Sequence, residues 1–145
     1  MKTDSITVCL DADVVIAGLF SRAGASHAIL VLGEVGLMRI AIPEAVVQEV
    51  RRNLEQKLPE ALPSFDSFLS APFVSVCRPT TATTRRARPL AHKKDVPVLA
   101  AALASDAALL VTHNTRHFRS SGSLRILRPR KLLEEARAWM VDFGK

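Results

Sequence analysis

Val8-Cys9-Leu10-Asp11-Ala12-Asp13-Val14-Val15-Ile16 is the stretch that decides how the chain is read. Ile6, Val8 and Leu10 are apolar, Cys9 packs as a small hydrophobe, and the run stops at Asp11. A continuous apolar run of this length reads as a buried strand. Asp is a poor strand former and is costly to bury without a partner. Parallel α/β sheets place their ligand sites just beyond the carboxyl ends of their strands. Asp11 stands at such an end. The remaining chain is therefore read for other ligand residues that reach the same edge.

Strands and helices alternate outward from residues 6–10. A turn with Ser21, Gly24 and Ser26 follows the first strand, and Ala28, Ile29, Leu32 and Val35 then recur at helical spacing over 26–35, up to Gly36. Residues 37–42 are a short apolar strand. Pro43 suits the first position of a helix over 44–58, whose stripe is Val46, Val47, Val50, Leu54 and Leu58. A short helix is expected at 61–70 and a third strand at 73–77. Residues 78–92 have no period and read as an exposed loop with room for one helical turn; a loop this long is often functional. Pro97 starts an alanine-rich helix to Ser105, residues 108–111 form a strand with an exit loop at 112–118, and 124–127 form a last strand. Pro129 opens a helix carrying Leu132, Leu133, Ala136, Trp139 and Met140 on one side, with core as their default role. This alternation predicts one α/β domain over residues 1–145, a small, mostly parallel sheet flanked by helices.

Bulk composition narrows the function classes. At 145 residues and 48% hydrophobic content the chain can build a core and is not disordered. No apolar run reaches the roughly 18–20 residues of a membrane span. Met1-Lys2-Thr3-Asp4 leads toward the first strand with no signal-peptide pattern, so a cytoplasmic location is expected. Cys9 and Cys77 both fall in expected strands, without zinc spacing or a disulfide framework, and read as buried free thiols. The net charge of +6 is uneven: Arg85, Arg86, Arg88, Lys93 and Lys94 cluster, and Arg116, Arg119, Arg125, Arg128, Arg130 and Lys131 follow. Basic clusters beside carboxylates fit a polyanion brought to a cation, as well as a merely solvated surface.

The candidate ligands are spread along the chain. Asp11 and Asp13, two apart at a strand exit, can bind Mg²⁺ or Mn²⁺ through hard oxygens. Strand alternation, however, should turn Asp13 away from Asp11, leaving it to solvent or a turn. Glu49 sits at the edge of its helix stripe, either solvated or a ligand. Asp95 precedes the Pro97 helix, where Asp often caps; it can also reach across the sheet edge. Asp106 reads as a surface or turn residue. Asn114 follows the strand Leu109-Leu110-Val111 and should come to the same edge as Asp11, with Thr112 placed to hydrogen-bond a neighbouring carboxylate. His113 and His117 flank that edge as surface residues, phosphate contacts or acids.

These segments resemble a known family. Leu10-Asp11-Ala12-Asp13-Val14-Val15-Ile16, the later Glu49, Lys94-Asp95-Val96-Pro97-Val98-Leu99-Ala100-Ala101-Ala102-Leu103, and Leu110-Val111-Thr112-His113-Asn114-Thr115-Arg116-His117-Phe118 resemble, in order, the PIN domain. More narrowly, they resemble the VapC-like toxin components of bacterial toxin–antitoxin pairs. The resemblance implies a PIN-like three-layer α/β fold and a metal-dependent ribonuclease. It implies Asp11, Glu49 and Asp95 as the acids that hold Mg²⁺ or Mn²⁺ and Asn114 as the fourth catalytic position. Asp13 stands where the family usually has Asn, and His117 where many members have Asp. Together with an amide at Asn114, His117 removes negative charge and makes one metal the safer expectation. Asp13, Thr112 and His117 take supporting roles.

On that reading, the carboxylates repel one another until a divalent cation relieves them. Water held by Asp95 or Glu49 attacks an RNA phosphodiester in line and leaves a 5′-phosphate and a 3′-hydroxyl. Arg85, Arg86, Arg88, Lys93, Arg116 and Arg119 are the candidates for the RNA backbone, and single-stranded RNA or a loop is the favoured substrate. The resemblance further implies a small cognate antitoxin that covers the acidic site, and a homodimer. Two alternatives stand beside it. Leu10-Asp11-Ala12-Asp13-Val14 also fits the haloacid-dehalogenase phosphatases, with Asp11 as nucleophile, although no late acidic motif follows. An inactive RNA-binding or partner-binding PIN module is the other.

Overall fold

The computed structural model describes residues 5–120, 122 and 124–143, without the side chains of 140–143. The lead-in over residues 1–4 and the side chain of Met140 lie outside the described residues. Among the described residues, five strands form one sheet: β1 (Ile6–Leu10), β2 (Met38–Pro43), β3 (Val74–Cys77), β4 (Leu109–Val111) and β5 (Arg125–Leu127). Their order is β3-β2-β1-β4-β5, and every pairing is parallel. Strands paired on both sides and covered on both faces cannot alternate in polarity, so the buried end of β1, Val8 to Leu10, and all of β4 read as uninterrupted apolar runs. Val8, Cys9, Leu10, Leu110 and Val111 are fully buried.

Seven α-helices among the described residues flank the sheet: α1 (Ala12–Phe20), α2 (Ala25–Glu34), α3 (Glu44–Lys57), α4 (Leu62–Leu69), α5 (Thr81–Ala87), α6 (Val96–Ala104) and α7 (Pro129–Phe143). The chain walks outward from β1 to β2 and β3, then crosses back through α5 and α6 to place β4 on the other side of β1. The direction of winding therefore reverses between β1 and β4. A sheet of this kind opens a crevice beyond its strand ends at that point. No single helix among the described residues is long and apolar enough to cross a membrane.

Two segments differ from the sequence reading. Residues 12–20 form α1, which the sequence did not reveal. Val14, Val15 and Ile16 are β-branched, and the helix buries Ala12, Val14, Val15 and Gly18 without a marked polar face, so no helical period shows. Residues 81–87 are the helix α5 rather than a loop. Thr80 and Thr83 form a reciprocal capping box, with the Thr83 N–H donating to Thr80 Oγ1 at 3.0 Å and the Thr80 N–H to Thr83 Oγ1 at 2.9 Å. The helix then lies against α6, burying Thr83 and Ala87.

Close packing of α2 rests on a missing side chain. A Cβ built on Gly33 would stand 2.8 Å from Phe73 Cδ2 and 2.9 Å from Ile40 Cδ1. Ile40 is fully buried in β2 and has little room to yield. Gly33→Ala is expected to destabilise the fold by about 1–3 kcal/mol, seen as a lower urea midpoint with an unchanged slope.

Candidate metal centre

β1 ends because Asp11 caps the next helix. Its backbone is extended, its Oδ1 accepts from the Ala12 N–H at 2.9 Å, and its carbonyl accepts from the Val14 and Val15 N–H groups. The Asp11 N–H still donates to the Val111 carbonyl at 3.0 Å, so Asp11 leaves the sheet level with the end of β4. At that end Thr112 is fully buried. Its hydroxyl donates to Asp11 Oδ2 at 2.8 Å and accepts from the Asn114 N–H at 3.1 Å. Both Asp11 oxygens are thereby held by donors from this edge.

Asp13 does not turn away. Alternation of side chains ends where the strand ends, and Asp13 lies in the first turn of α1. Its Oδ2 accepts from the His113 N–H at 3.3 Å and from Asn114 Nδ2 at 3.4 Å, and lies 3.3 Å from His113 Nδ1. Its Oδ1 is buried with no hydrogen-bond partner. A buried carboxylate oxygen without a donor is costly, and it marks a place where a cation or an ordered water would be welcome.

Asp95 comes from the far side of the crossover. It precedes α6, yet its carboxylate makes no capping bond. Asp95 Oδ2 instead lies 3.1 Å from His117 Nδ1, with both side chains largely buried. His117 is thus tied to a carboxylate rather than free at the surface. The backbone secures this contact, because Ala91 and Phe118 form an antiparallel bridge and the His92 N–H donates to the His117 carbonyl at 3.0 Å.

Asp11, Asp13, Glu49, Lys94, Asp95, Asn114 and His117 line one cavity of about 150 Å³ at the switch point. Residues from β1, α1, α3, the start of α6 and the exit of β4 therefore meet in one place, with Glu49 exposed at the rim. Four carboxylates face one ammonium. Among them, the Asp11 carboxyl is raised from 3.8 to about 6. Burial is the main cause; the Thr112 hydroxyl and the Ala12 N–H oppose it, while the charges of Asp13 and Asp95 add to it.

The basic residues divide differently from the sequence expectation. Lys94, not Lys93, lines the acidic cavity. Arg85 and Arg88 are exposed and line a separate groove with Thr80, Thr81 and Thr84. Arg86 faces Ser105, Asp106 and Ala107, which precede β4, so it sits at the opposite edge of the sheet from Asp11. Arg116 and Arg119 are exposed on either side of His117. Sequence reasoning missed His92, whose ring stacks on that of His117 with centroids 4.3 Å apart. Only the bridge between residues 91 and 118 brings them together, and nothing local in the sequence signals that pairing.

Hard oxygen donors, an orphaned carboxylate oxygen and an acid raised above its ordinary pKa, chiefly by burial and further by neighbouring carboxylates, fit a divalent cation such as Mg²⁺ or Mn²⁺. Fold and site together define a small, all-parallel α/β protein with an acidic cavity at its topological switch point. The chain belongs to the PIN domain family, whose family model, described as PIN domain, matches residues 7–116. The crystal structure of VapBC2 from Rickettsia felis bound to a DNA fragment from their promoter contains a chain of the same fold: the TM-score is 0.65 at 18% identity, over 83% of this chain and 97% of that one. No curated protein sequence matches the chain. The matched range includes Asp11 and Asp13, so membership of the PIN family stands against the haloacid-dehalogenase alternative.

Proposed function

We propose that this protein is a divalent-metal-dependent endoribonuclease of the VapC-like toxin type, held in check by a small cognate antitoxin. The observation that carries the reading is the meeting of Asp11, Asp13, Glu49, Asp95 and Asn114 in one cavity. Burial, with smaller contributions from the charges of Asp13 and Asp95, raises the pKa of Asp11 there. Asp11, Asp95 and Glu49 are the residues that would hold Mg²⁺ or Mn²⁺. When bound, the cation supplies Lewis acidity to the phosphate and makes water easier to deprotonate.

The chain's own groups do the rest. Thr112 fixes the angle of Asp11, and His117 fixes Asp95. Asn114 ties the β4 exit to Asp13. Glu49, exposed at the rim, is placed to take the proton of the attacking water. Lys94 faces the same cavity and neutralises phosphate charge. Arg116 and Arg119, exposed on either side of His117 in the chain, carry the RNA backbone, with Arg85 and Arg88 along a separate groove. Backbone contacts position the strand and do not read bases. Attack by water leaves a 5′-phosphate and a 3′-hydroxyl.

The structural neighbour from Rickettsia felis supports the toxin reading, because it carries this fold in a pair of proteins bound to their own promoter. A second protein encoded beside this one, DNA-binding and able to cover the acidic cavity, is the partner expected here. Self-association into a homodimer and a cytoplasmic location belong to the same proposal.

Incubation of purified protein with a single-stranded RNA tests it. Cleavage should appear with Mn²⁺ or Mg²⁺, stop with a chelator, and be lost in Glu49→Gln. No cleavage in any divalent cation, with no metal binding by calorimetry, would instead identify an inactive binding module. Thr112→Val gives a finer test. The hydroxyl lowers the Asp11 pKa, so its loss raises that pKa further. Activity should fall by about 10–100-fold, and its rise with pH should begin at higher pH. An unchanged pH profile would show that Thr112 does not tune Asp11.

A further inference from the structure

We propose that His92, Asp95 and His117 form a second cation position beside the carboxylate cavity, built for a borderline transition metal such as Zn²⁺, Co²⁺ or Ni²⁺ rather than Mg²⁺. Their ligand atoms all lie within 4.8 Å of one another, and no other triad of His, Cys, Asp or Glu among the described residues meets that condition. His117 Nδ1 lies 3.1 Å from Asp95 Oδ2.

Backbone hydrogen bonds set up the cluster. The Ala91–Phe118 bridge joins two short antiparallel segments, closed by the His92 N–H to the His117 carbonyl at 3.0 Å and the Arg119 N–H to the Leu90 carbonyl at 2.7 Å. The two imidazoles are therefore neighbours across a ribbon, stacked at 17°. The Asp95 N–H donates to the His92 carbonyl at 2.8 Å, which places the carboxylate beside them. That carboxylate is not spent on capping α6. His92 is exposed, so its side chain can rotate to close on an ion, and solvent offers an entry path.

Donor chemistry decides which ion the position takes. Two imidazole nitrogens and one carboxylate oxygen, with positions left for water, suit Zn²⁺ and its neighbours. Mg²⁺ is hard and prefers oxygen, so the imidazoles discriminate against it. The adjoining cavity shares Asp95 and His117 with this position, but its further donors, Asp11, Asp13, Glu49 and Asn114, supply oxygen and favour a hard ion. A carboxylate has two oxygens, so Asp95 can serve both positions. This inference does not rest on the ribonuclease reading, because it concerns binding alone.

Untagged Asp11→Asn protein, in which the carboxylate cavity is weakened, is titrated with Co²⁺ at mildly alkaline pH. One site is expected, with the visible absorption of a nitrogen-ligated ion of low coordination number. That signal should survive a large excess of Mg²⁺ and be bleached by Zn²⁺. Adding His92→Ala or His117→Ala should weaken Co²⁺ binding by about tenfold or more, with far-UV circular dichroism confirming that each variant is folded. Displacement of Co²⁺ by Mg²⁺, or equal binding by the alanine variants, would overturn the proposal. RNA cleavage by the wild type in Mg²⁺ alone reports separately on the ribonuclease.

Discussion

Asp11→Asn is expected to lower RNA cleavage by about a thousandfold or more, while making the metal-free protein more stable at neutral pH. The first effect follows from losing a carboxylate of the cavity that is proposed to hold the cation. The second follows from what Asp11 costs the apo fold. Its carboxylate is largely buried beside two like charges, and its pKa is raised to about 6. An amide carries no charge and keeps the local hydrogen bonds. Asn caps helices about as well as Asp, so the bond from the Ala12 N–H survives. The amide NH₂ can donate to Thr112, whose hydroxyl rotates to accept. A gain of about 2–3 kcal/mol corresponds to the raised pKa, or a thermal midpoint higher by roughly 5–10 °C. A variant that lost activity and stability together would show Asp11 to be structural rather than a ligand.

Raising the pH through about 6 should destabilise the metal-free wild type, and adding Mn²⁺ or Mg²⁺ should restore it. In the unfolded chain Asp11 releases its proton near 3.8, whereas in the fold it keeps it up to about 6. The native state binds the extra proton between those values. The stability Asp11 contributes is thus complete below 3.8 and lost as pH rises through about 6. Its full span is about 3 kcal/mol. Denaturation curves at several pH values should show this slope in the wild type and lack it in Asp11→Asn. A divalent cation at a hundred times its dissociation constant adds about 2.7 kcal/mol above pH 6, and less below it, where the proton competes. A slope that persisted in Asp11→Asn would place its origin in another group.

The fold was legible where strands are buried on both faces. Val8-Cys9-Leu10 and Leu109-Leu110-Val111 are apolar runs too short for helices, and the residues just after them, Asp11 and Thr112 to Asn114, came to one edge as parallel pairing requires. Glu49 and Asp95 could be placed on their helices, but which way each faced depended on how α3 and the start of α6 pack. Their roles came from a family pattern, not from local chemistry. α1 stayed hidden because a largely apolar helix with β-branched residues and no marked polar face has no periodic signature. Asp13 was misdirected for the same reason: a strand rule was applied one residue into a helix. α5 was read as loop because its threonines are weak helix formers and it carries no apolar stripe, and its stability comes from a capping box and from α6. Lys94 and His92 depend on the turn at residues 93–95 and on the 91–118 bridge, which are long-range facts.

Anomalous scattering from crystals grown with Mn²⁺ tests the central proposition most directly. A single strong peak is predicted in the cavity between Asp11 and Asp95, within coordinating distance of both and reached by Glu49 directly or through water, and absent from Asp11→Asn crystals. A map with no manganese there, or with Asp11 hydrogen-bonded only to Thr112 and Ala12 while the ion sits elsewhere, would contradict it.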